Sequence, residues 1–398
     1  MTAILVVLIY AAIAIGQVPG LRMNRATIAL AGAALLVMVG SIGEETALDS
    51  IDMGTILLLA AMMVVNVNLR MAGFFRFVGS HTLRIAHTPR MLLALVVGSS
   101  GVLSAIFLND PVCLMLTPLV VDLTRRLGRD PIPYLVGLAT AANIGSVATI
   151  TGNPQNLIIG QASGISYLTF MAYLAPVAII GLIICWGVIV WAYPAEFKGK
   201  LPQVILPLPR PYTPLLSRVM LVVLALMIAF LIGVSIVTAA CVAAAVLLIS
   251  RLRPRKLLAL DWDLLAFFAG LFVVTGAIEA SGLSEDLFHT LQPILQDGVA
   301  MFSLIVAGLS NIVSNVPAVL LFRPIMTDFA DPQRAWLVLA MASTLAGNLT
   351  LLGSAATLIV AEVAAQRGVK LSFMAYLKAG IPITILTLLV GIVWLELI

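Results

Sequence analysis

"FLNDPVCLMLTPLV", residues 107–120, sets a polar Asn109-Asp110-Pro111 triplet inside apolar sequence, and "IVSNVPAVLLFRPI", residues 312–325, writes a similar pattern again. Asn109 and Pro111 match Asn315 and Pro317, and Pro118 matches Pro324, at a single offset. Two more pairs follow in the same order. "TITGNPQNLII", 149–159, matches "TLLGSAATLIV", 350–360, through Thr149/Thr350 and Gly152/Gly353. Val64-Val65 with Gly73 matches Val273-Val274 with Gly282. Three ordered matches with slowly drifting offsets are the mark of an internal duplication.

The surroundings of these motifs set the class. Of 398 residues, 62% are hydrophobic and 10% are charged, too few charges to cover a water-soluble surface. Apolar stretches recur from end to end, so the expected fold is an all-α polytopic membrane protein. A net charge of +4 gives no reason to expect nucleic acid as a partner; membrane lipid is the expected surrounding. Cys113, Cys185 and Cys241 show neither metal-ligand spacing nor a disulfide framework. The three histidines, His81, His87 and His289, read as interfacial polar faces. The first residues, MTAILVVLIYAAIAIGQVPG, carry no basic segment and read as a first membrane helix.

Several apolar spans are too short to cross, since crossing takes roughly 20 residues. They come in pairs: 91–108 with 111–124, 131–151 with 156–163, 298–314 with 317–328, and 335–352 with 356–366. Irregular backbone at membrane depth must be buried in protein or line a cavity, so broken helices point to a site. FFRFVGSHTLRIAH, 74–87, reads as an amphipathic helix in the interface, and 284–297 occupies the same place in the second half. Residues 194–217 are proline-rich and read as a cytoplasmic linker. The expected organisation is therefore a first transmembrane repeat, 1–193, and a second, 218–398. With 91–124 as a re-entrant hairpin, each half crosses five times, and an odd number inverts the second half.

Charge agrees with this path. It puts Arg25, Arg70, Arg125, Arg126, Lys198, Lys200, Arg251, Arg253, Lys256 and Arg367 on one side. Glu44, Glu45, Asp49, Glu285, Asp286, Asp328 and Asp331 fall on the other, with Arg334 the main exception. The basic side is cytoplasmic by the positive-inside rule, which leaves both termini outside a bacterial-type inner membrane. Inverted repeats with broken helices meeting near the midplane are the architecture of secondary transporters.

The chemistry sits at the breaks. Asp suits an N-cap and Pro the first turn after it, so a half-helix is expected to start at Pro111, capped by Asp110. A carboxylate within the membrane is costly and marks function. Its counterpart is Val316, so the fold itself does not require an acid there. Asn109 and Asp110, with Ser314 and Asn315 at the second tip, are expected to contact substrate or ion. The stretch 139–160 adds Asn143, Ser146, Thr149, Gly152, Asn153 and Asn156, with Gly152 and Pro154 breaking the helix. The second half adds Asn348, Thr350, Gly353 and Ser354. A Na⁺ site at Asn109, Asp110 and Asn153 is one possibility, a proton on Asp110 another; no further cofactor is implied. Half-helices starting near 111, 154, 317 and 355 would aim their positive ends at one cavity. Arg323, Glu362 and Cys113 are weaker candidates.

These motifs resemble the ion transporter superfamily of arsenite permeases, NhaD-type Na⁺/H⁺ antiporters, citrate permeases and divalent anion/sodium symporters. The symporters carry Ser-Asn-Thr at both tips, where this chain has Leu108-Asn109-Asp110 and Ser314-Asn315-Val316. An Asn-Asp tip followed by Thr117-Pro118, with NIGSVATITGNPQN, is more similar to the arsenite permease and antiporter branch. The resemblance implies a transport domain moving against a scaffold, commonly in a homodimer. The function expected is secondary transport of a small inorganic species, foremost arsenite or antimonite efflux coupled to protons or ions. A Na⁺/H⁺ antiporter and a cation-coupled carrier of citrate, a dicarboxylate or another anion are the alternatives. An intramembrane enzyme would need a nucleophile–base pair or metal cluster at depth, which the sequence lacks, and closed tips argue against a passive channel. There is no Walker A pattern, so ATP-driven pumping would require a cytoplasmic ATPase subunit.

Overall fold

A computed structural model describes residues 2–15, 23–202, 213–249, 260–283 and 298–398. Every regular element among them is helical. The first half runs α1 (Thr2–Ile15), α2 (Arg25–Met38), a short α3 (Glu44–Asp49), α4 (Met53–Ala72), α5 (Phe74–Arg84), α6 (Pro89–Ile106), α7 (Asn109–Arg126), α8 (Pro131–Ser146), α9 (Pro154–Ser163) and α10 (Tyr167–Ala192). The second runs α11 (Thr213–Leu231), α12 (Ile236–Ile249), α13 (Trp262–Ala280), α14 (Val299–Val313), α15 (Asn315–Phe322) with a 3₁₀ turn at Arg323–Asp328, α16 (Pro332–Ala346), α17 (Ala355–Gln366) and α18 (Phe373–Leu397). Six of these helices are long and apolar enough to span a bilayer: α4, α6, α10, α11, α13 and α18. The amphipathic segment expected at 284–297, His289 included, lies outside the described residues, as do 203–212 of the linker.

The two series pack in mirrored pairs. Helix α2 lies along α13, and α12 lies along α4. Contact of α6 with α8 is matched by α14 with α16, and α7 with α17 by α15 with α9. Helices α10 and α18 pack on each other, with Pro176 and Pro382 at the same position along each. Two groups emerge. A frame is made of α1, α2, α4, α11, α12 and α13, and a core of α6–α10 and α14–α18.

At the centre of the core, α8 is buried on every side from Pro133 onward, its polar Thr140, Asn143 and Ser146 included, as befits a helix enclosed by a bundle. Its crossing with α6 depends on glycine. A Cβ on Gly145 would run into the backbone carbonyl of Gly101, so the two backbones meet in a small-residue crossing. Helix α5 packs under the hairpin, where Phe74, Phe75 and Phe107 stack edge to face with centroids 5.4–5.9 Å apart.

Candidate functional site

Helix α7 starts at Asn109, two residues earlier than Asp-Pro capping predicts. Leu108 occupies the cap position and makes no side-chain cap bond. Asp110 is therefore the second residue of the helix and Pro111 the third. The reason is local. The first N–H groups of a helix lack intrahelical partners, so proline fits anywhere in the first turn. The Asn109 N–H is already satisfied, since it donates to Gly152 O at 2.9 Å. Freed from capping, the Asp110 carboxylate makes no hydrogen bond or ion pair among the described residues. Cys113, one turn on, is fully buried in the core.

The second tip is built differently. Ser314 has φ +78°, the one non-glycine residue with positive φ among those described. This is a backbone region that costs energy for an L side chain. Helix α15 stops after eight residues, and Pro324 sits in the 3₁₀ turn that follows. Its match, Pro118, stays inside a continuous α7.

The two helix breaks come earlier than the sequence suggests, after Ser146 and Ala346. They place Thr149 and Gly152, and Thr350 and Gly353, in unwound loops. Each loop folds back on the helix it leaves. A Cβ on Gly152 would meet Ser146 O, and one on Gly353 would meet Gly347 O at 2.9 Å. The carbonyls freed by the break find side-chain donors, which a membrane interior demands. Asn156 Nδ2 donates to Ser146 O and Thr149 O, each at 3.0 Å, and Asn311 Nδ2 donates to Ala346 O at 3.0 Å. Thr149 Oγ1 donates to Ala105 O, while Thr350 is half-buried in its loop. Each second helix is capped: Asn153 Oδ1 accepts from Asn156 N at 2.8 Å, and Ser354 Oγ accepts from Thr357 N at 3.2 Å.

Side chains then tie one half to the other. Asn143 Nδ2 donates to Ser354 Oγ and to Asn348 Oδ1, both at 2.9 Å. Asn153 Nδ2 donates to Ser146 Oγ at 2.9 Å and to Thr344 Oγ1 at 3.2 Å, where Gln155 Nε2 also donates at 3.1 Å. At the tips, Asn109 Nδ2 donates to Asn143 Oδ1 at 3.1 Å. The Asn315 amide has its nitrogen directed at Ser310 Oγ (2.8 Å), Ser343 O (3.1 Å) and Gly353 O (3.2 Å).

A cavity of about 650 Å³ opens in front of this network. The first residues of α7, α9, α15 and α17 (Asn109, Pro154, Asn315 and Ala355) all line it, which is the convergence of four helix ends that the sequence led us to expect. Asp110, Gln155, Ser314, Val316 and Ser354 complete its floor. Behind the floor, Asn143, Ser146, Asn153, Asn156 and Asn348 are fully buried and face one another instead of the cavity. Asn153 is thereby separated from the cavity surface that Asn109 and Asp110 share. No group of three or more His, Cys, Asp or Glu side chains is placed to hold a metal ion among the described residues.

Apart from Glu362 of α17, a weaker candidate from the sequence, the rim was not anticipated. It is formed by Asn24 and Arg25 at the start of α2 and by Asp261 and Asp263 at the start of α13, together with Glu362. Asn24 Nδ2 donates to Asp263 Oδ2 at 3.0 Å. The signal was present in the Asp261-Trp262-Asp263 triplet opening an apolar helix, but only the fold brings it over the hairpin tips. Arg323 lies away from the cavity, paired with Asp52 at 3.1 Å and 5.6 Å over the Phe272 ring.

A family model described as citrate transporter, CitMHS, matches residues 6–346. The silicon efflux transporter LSI3 of rice (Oryza sativa subsp. japonica) is 30% identical, over 94% of this chain and 93% of that one. A putative transporter, arsB, of Dictyostelium discoideum is 24% identical, over 94% of this chain and 87% of its own. The crystal structure of the YdaH transporter of Alcanivorax borkumensis superposes with a TM-score of 0.59 at 14% identity, covering 100% of this chain and 97% of that one; at that identity the likeness concerns the fold.

Proposed function

This chain belongs to the citrate transporter family and is a secondary transporter in the membrane, and on that premise we propose that it exports a small neutral hydroxide, of the arsenite or antimonite kind, coupled to a proton or another cation. The observation that carries this reading is Asp110. It is an acid at the floor of a cavity between converging helix ends, with no basic partner among the described residues. Its match in the second half is Val316. An unpaired carboxylate in a low-dielectric site is stabilised by taking a proton or a cation, which suits a coupling role.

The rest of the lining favours a neutral cargo. Among the described residues, Asp110, Asp261, Asp263 and Glu362 face the cavity with one basic residue, Arg25. A tricarboxylate placed there would meet more negative than positive charge, and the helix ends would have to offset both. Arsenous and silicic acids are neutral, hydroxyl-rich species at neutral pH, and amides and hydroxyls are their natural partners. The silicon efflux relative and the relative named arsB are in keeping with such a cargo. A second reading, Na⁺/H⁺ antiport, is favoured by the acidic rim, which would concentrate cations at the mouth.

Thermal stabilisation of the purified protein separates these readings, because a ligand that binds the native state raises its apparent stability by mass action. Arsenite or antimonite should raise Tm in the wild type and lose much of that effect in Asp110→Asn. A shift with Na⁺ or Li⁺ alone would favour the antiporter. A shift with citrate alone would overturn the neutral-hydroxide reading.

A further inference from the structure

Amide side chains have a hidden degree of freedom: oxygen and nitrogen look alike, and only the hydrogen-bond network says which way each points. Behind the first hairpin tip that network has a fixed end. Asn348 Nδ2 donates to the backbone carbonyl of Thr140 at 3.2 Å, and a backbone carbonyl can only accept. Asn348 therefore turns its Oδ1 toward Asn143, whose Nδ2 donates to it at 2.9 Å. Asn143 in turn must offer Oδ1 to the tip, and Asn109 Nδ2 donates to it at 3.1 Å. The last member of the row, Asn109, is 5% exposed and lines the cavity. Its Oδ1 is buried without any donor among the described residues.

We infer that Asn348 and Asn143 are positioning residues: a relay of amides, anchored on the Thr140 carbonyl, holds Asn109 so that the tip presents an acceptor oxygen beside Asp110 and takes an electropositive ligand group, an O–H hydrogen or a cation, in preference to the oxygens of an anion. The inference deepens the proposed function and rests on the reading of this cavity as the ligand site. The physical case has two parts. A buried acceptor without a donor carries a desolvation cost that a bound O–H or cation removes. A second acceptor, the Asp110 carboxylate, begins at the next residue, so an anionic oxygen there would meet two acceptor side chains of the tip. Were the relay reversed, Asn109 would show its NH₂ to the cavity and favour carboxylates instead. One backbone carbonyl three residues along the network thus sets the sign of what the tip recognises.

The test uses the full chain and reads selectivity as well as affinity, since a structural role alone would weaken all ligands alike. Affinities for arsenite, Na⁺ and citrate are measured for the wild type, Asn143→Ala and Asn348→Ala, each checked for a wild-type helical spectrum. With the relay cut, Asn109 is free to turn. Arsenite or Na⁺ affinity should fall about tenfold, the worth of roughly one hydrogen bond, while citrate holds or gains. The arsenite and Na⁺ arms tell an O–H donor from a cation. Equal loss of all three ligands in both variants, or no change in any, would overturn the relay while leaving the transport reading in place. A ligand-free readout covers the case in which a variant misfolds or no probe binds, which would count against the proposed function. In the wild type, the Asn109 side-chain amide, assigned by its absence in Asn109→Asp, should exchange its hydrogens slowly because its NH₂ is turned inward to Asn143. Fast exchange would show an NH₂ facing the cavity and overturn the inference directly.

Discussion

Asn143 of α8 donates to Ser354 Oγ at the head of α17, 2.9 Å away and in the other half of the chain. The reach is made a second time, by Asn153 to Thr344 Oγ1 at 3.2 Å. Asn143 and Thr344 are separated by the same offset as Asn153 and Ser354, and as Thr149 and Thr350. The two bonds therefore join residues related by one sequence offset, and they fasten the broken helices to each other.

This clasp should be energetically expensive to open. Thr344→Val keeps the volume but leaves Asn153 and Gln155 without their shared acceptor. Buried donors left unpaired cost about 1–3 kcal/mol, so the Tm in detergent should fall by several degrees. Thr387→Val is the control. Its hydroxyl only donates back to the carbonyls of Ile383 and Thr384 in its own helix, and its removal should change Tm little.

Glycine makes a sharper contrast. Gly145→Ala would drive a methyl into the Gly101 backbone at the crossing of α6 and α8, and backbone cannot swing aside. Overpacking of this kind costs typically about 1–3 kcal/mol and occasionally more, so the yield of folded protein should drop severely. Gly98→Ala, on the same α6 with open space around it, should express like the wild type. Size-exclusion profiles of the two variants decide the point.

Much of the fold was legible because the membrane restricts the options. Spans and breaks follow from short apolar runs around Asn109-x-Pro111 and Gly152-Asn153-Pro154. The convergence of four helix starts on one cavity followed from the same reading. What the sequence hid was which polar residues face the cavity. Asn143, Asn153 and Asn348 have the same composition signature as Asn109, and yet they are spent on buried partners behind the floor. Only three-dimensional pairing separates an asparagine that binds from one that holds. Asp110 was expected to cap its helix, and the backbone bond from Asn109 to Gly152 made a cap unnecessary. The rim of Arg25, Asp261 and Asp263 was illegible because it joins helix ends far apart in sequence.

Arg323 marks where the two helix groups are pinned. Of the three ion pairs among the described residues, only Arg323–Asp52 joins core to frame. If transport moves core against frame, a covalent link at this point should stop it. In a chain with Cys113, Cys185 and Cys241 replaced, Asp52→Cys with Arg323→Cys, bridged by a bifunctional methanethiosulfonate reagent long enough to span the lost side chains, should lose transport, and a reductant should restore it. Full transport by the cross-linked protein would place the motion elsewhere.

If Asp110 couples cation flow to cargo, proteoliposomes will show it. Wild-type protein should accumulate arsenite against its gradient when a pH or Na⁺ gradient is imposed, and should also exchange arsenite across the bilayer without one. Asp110→Asn should lose the gradient-driven accumulation while the downhill exchange persists. Accumulation by Asp110→Asn at the wild-type level would contradict the account, because the coupling charge would then have to reside on another residue.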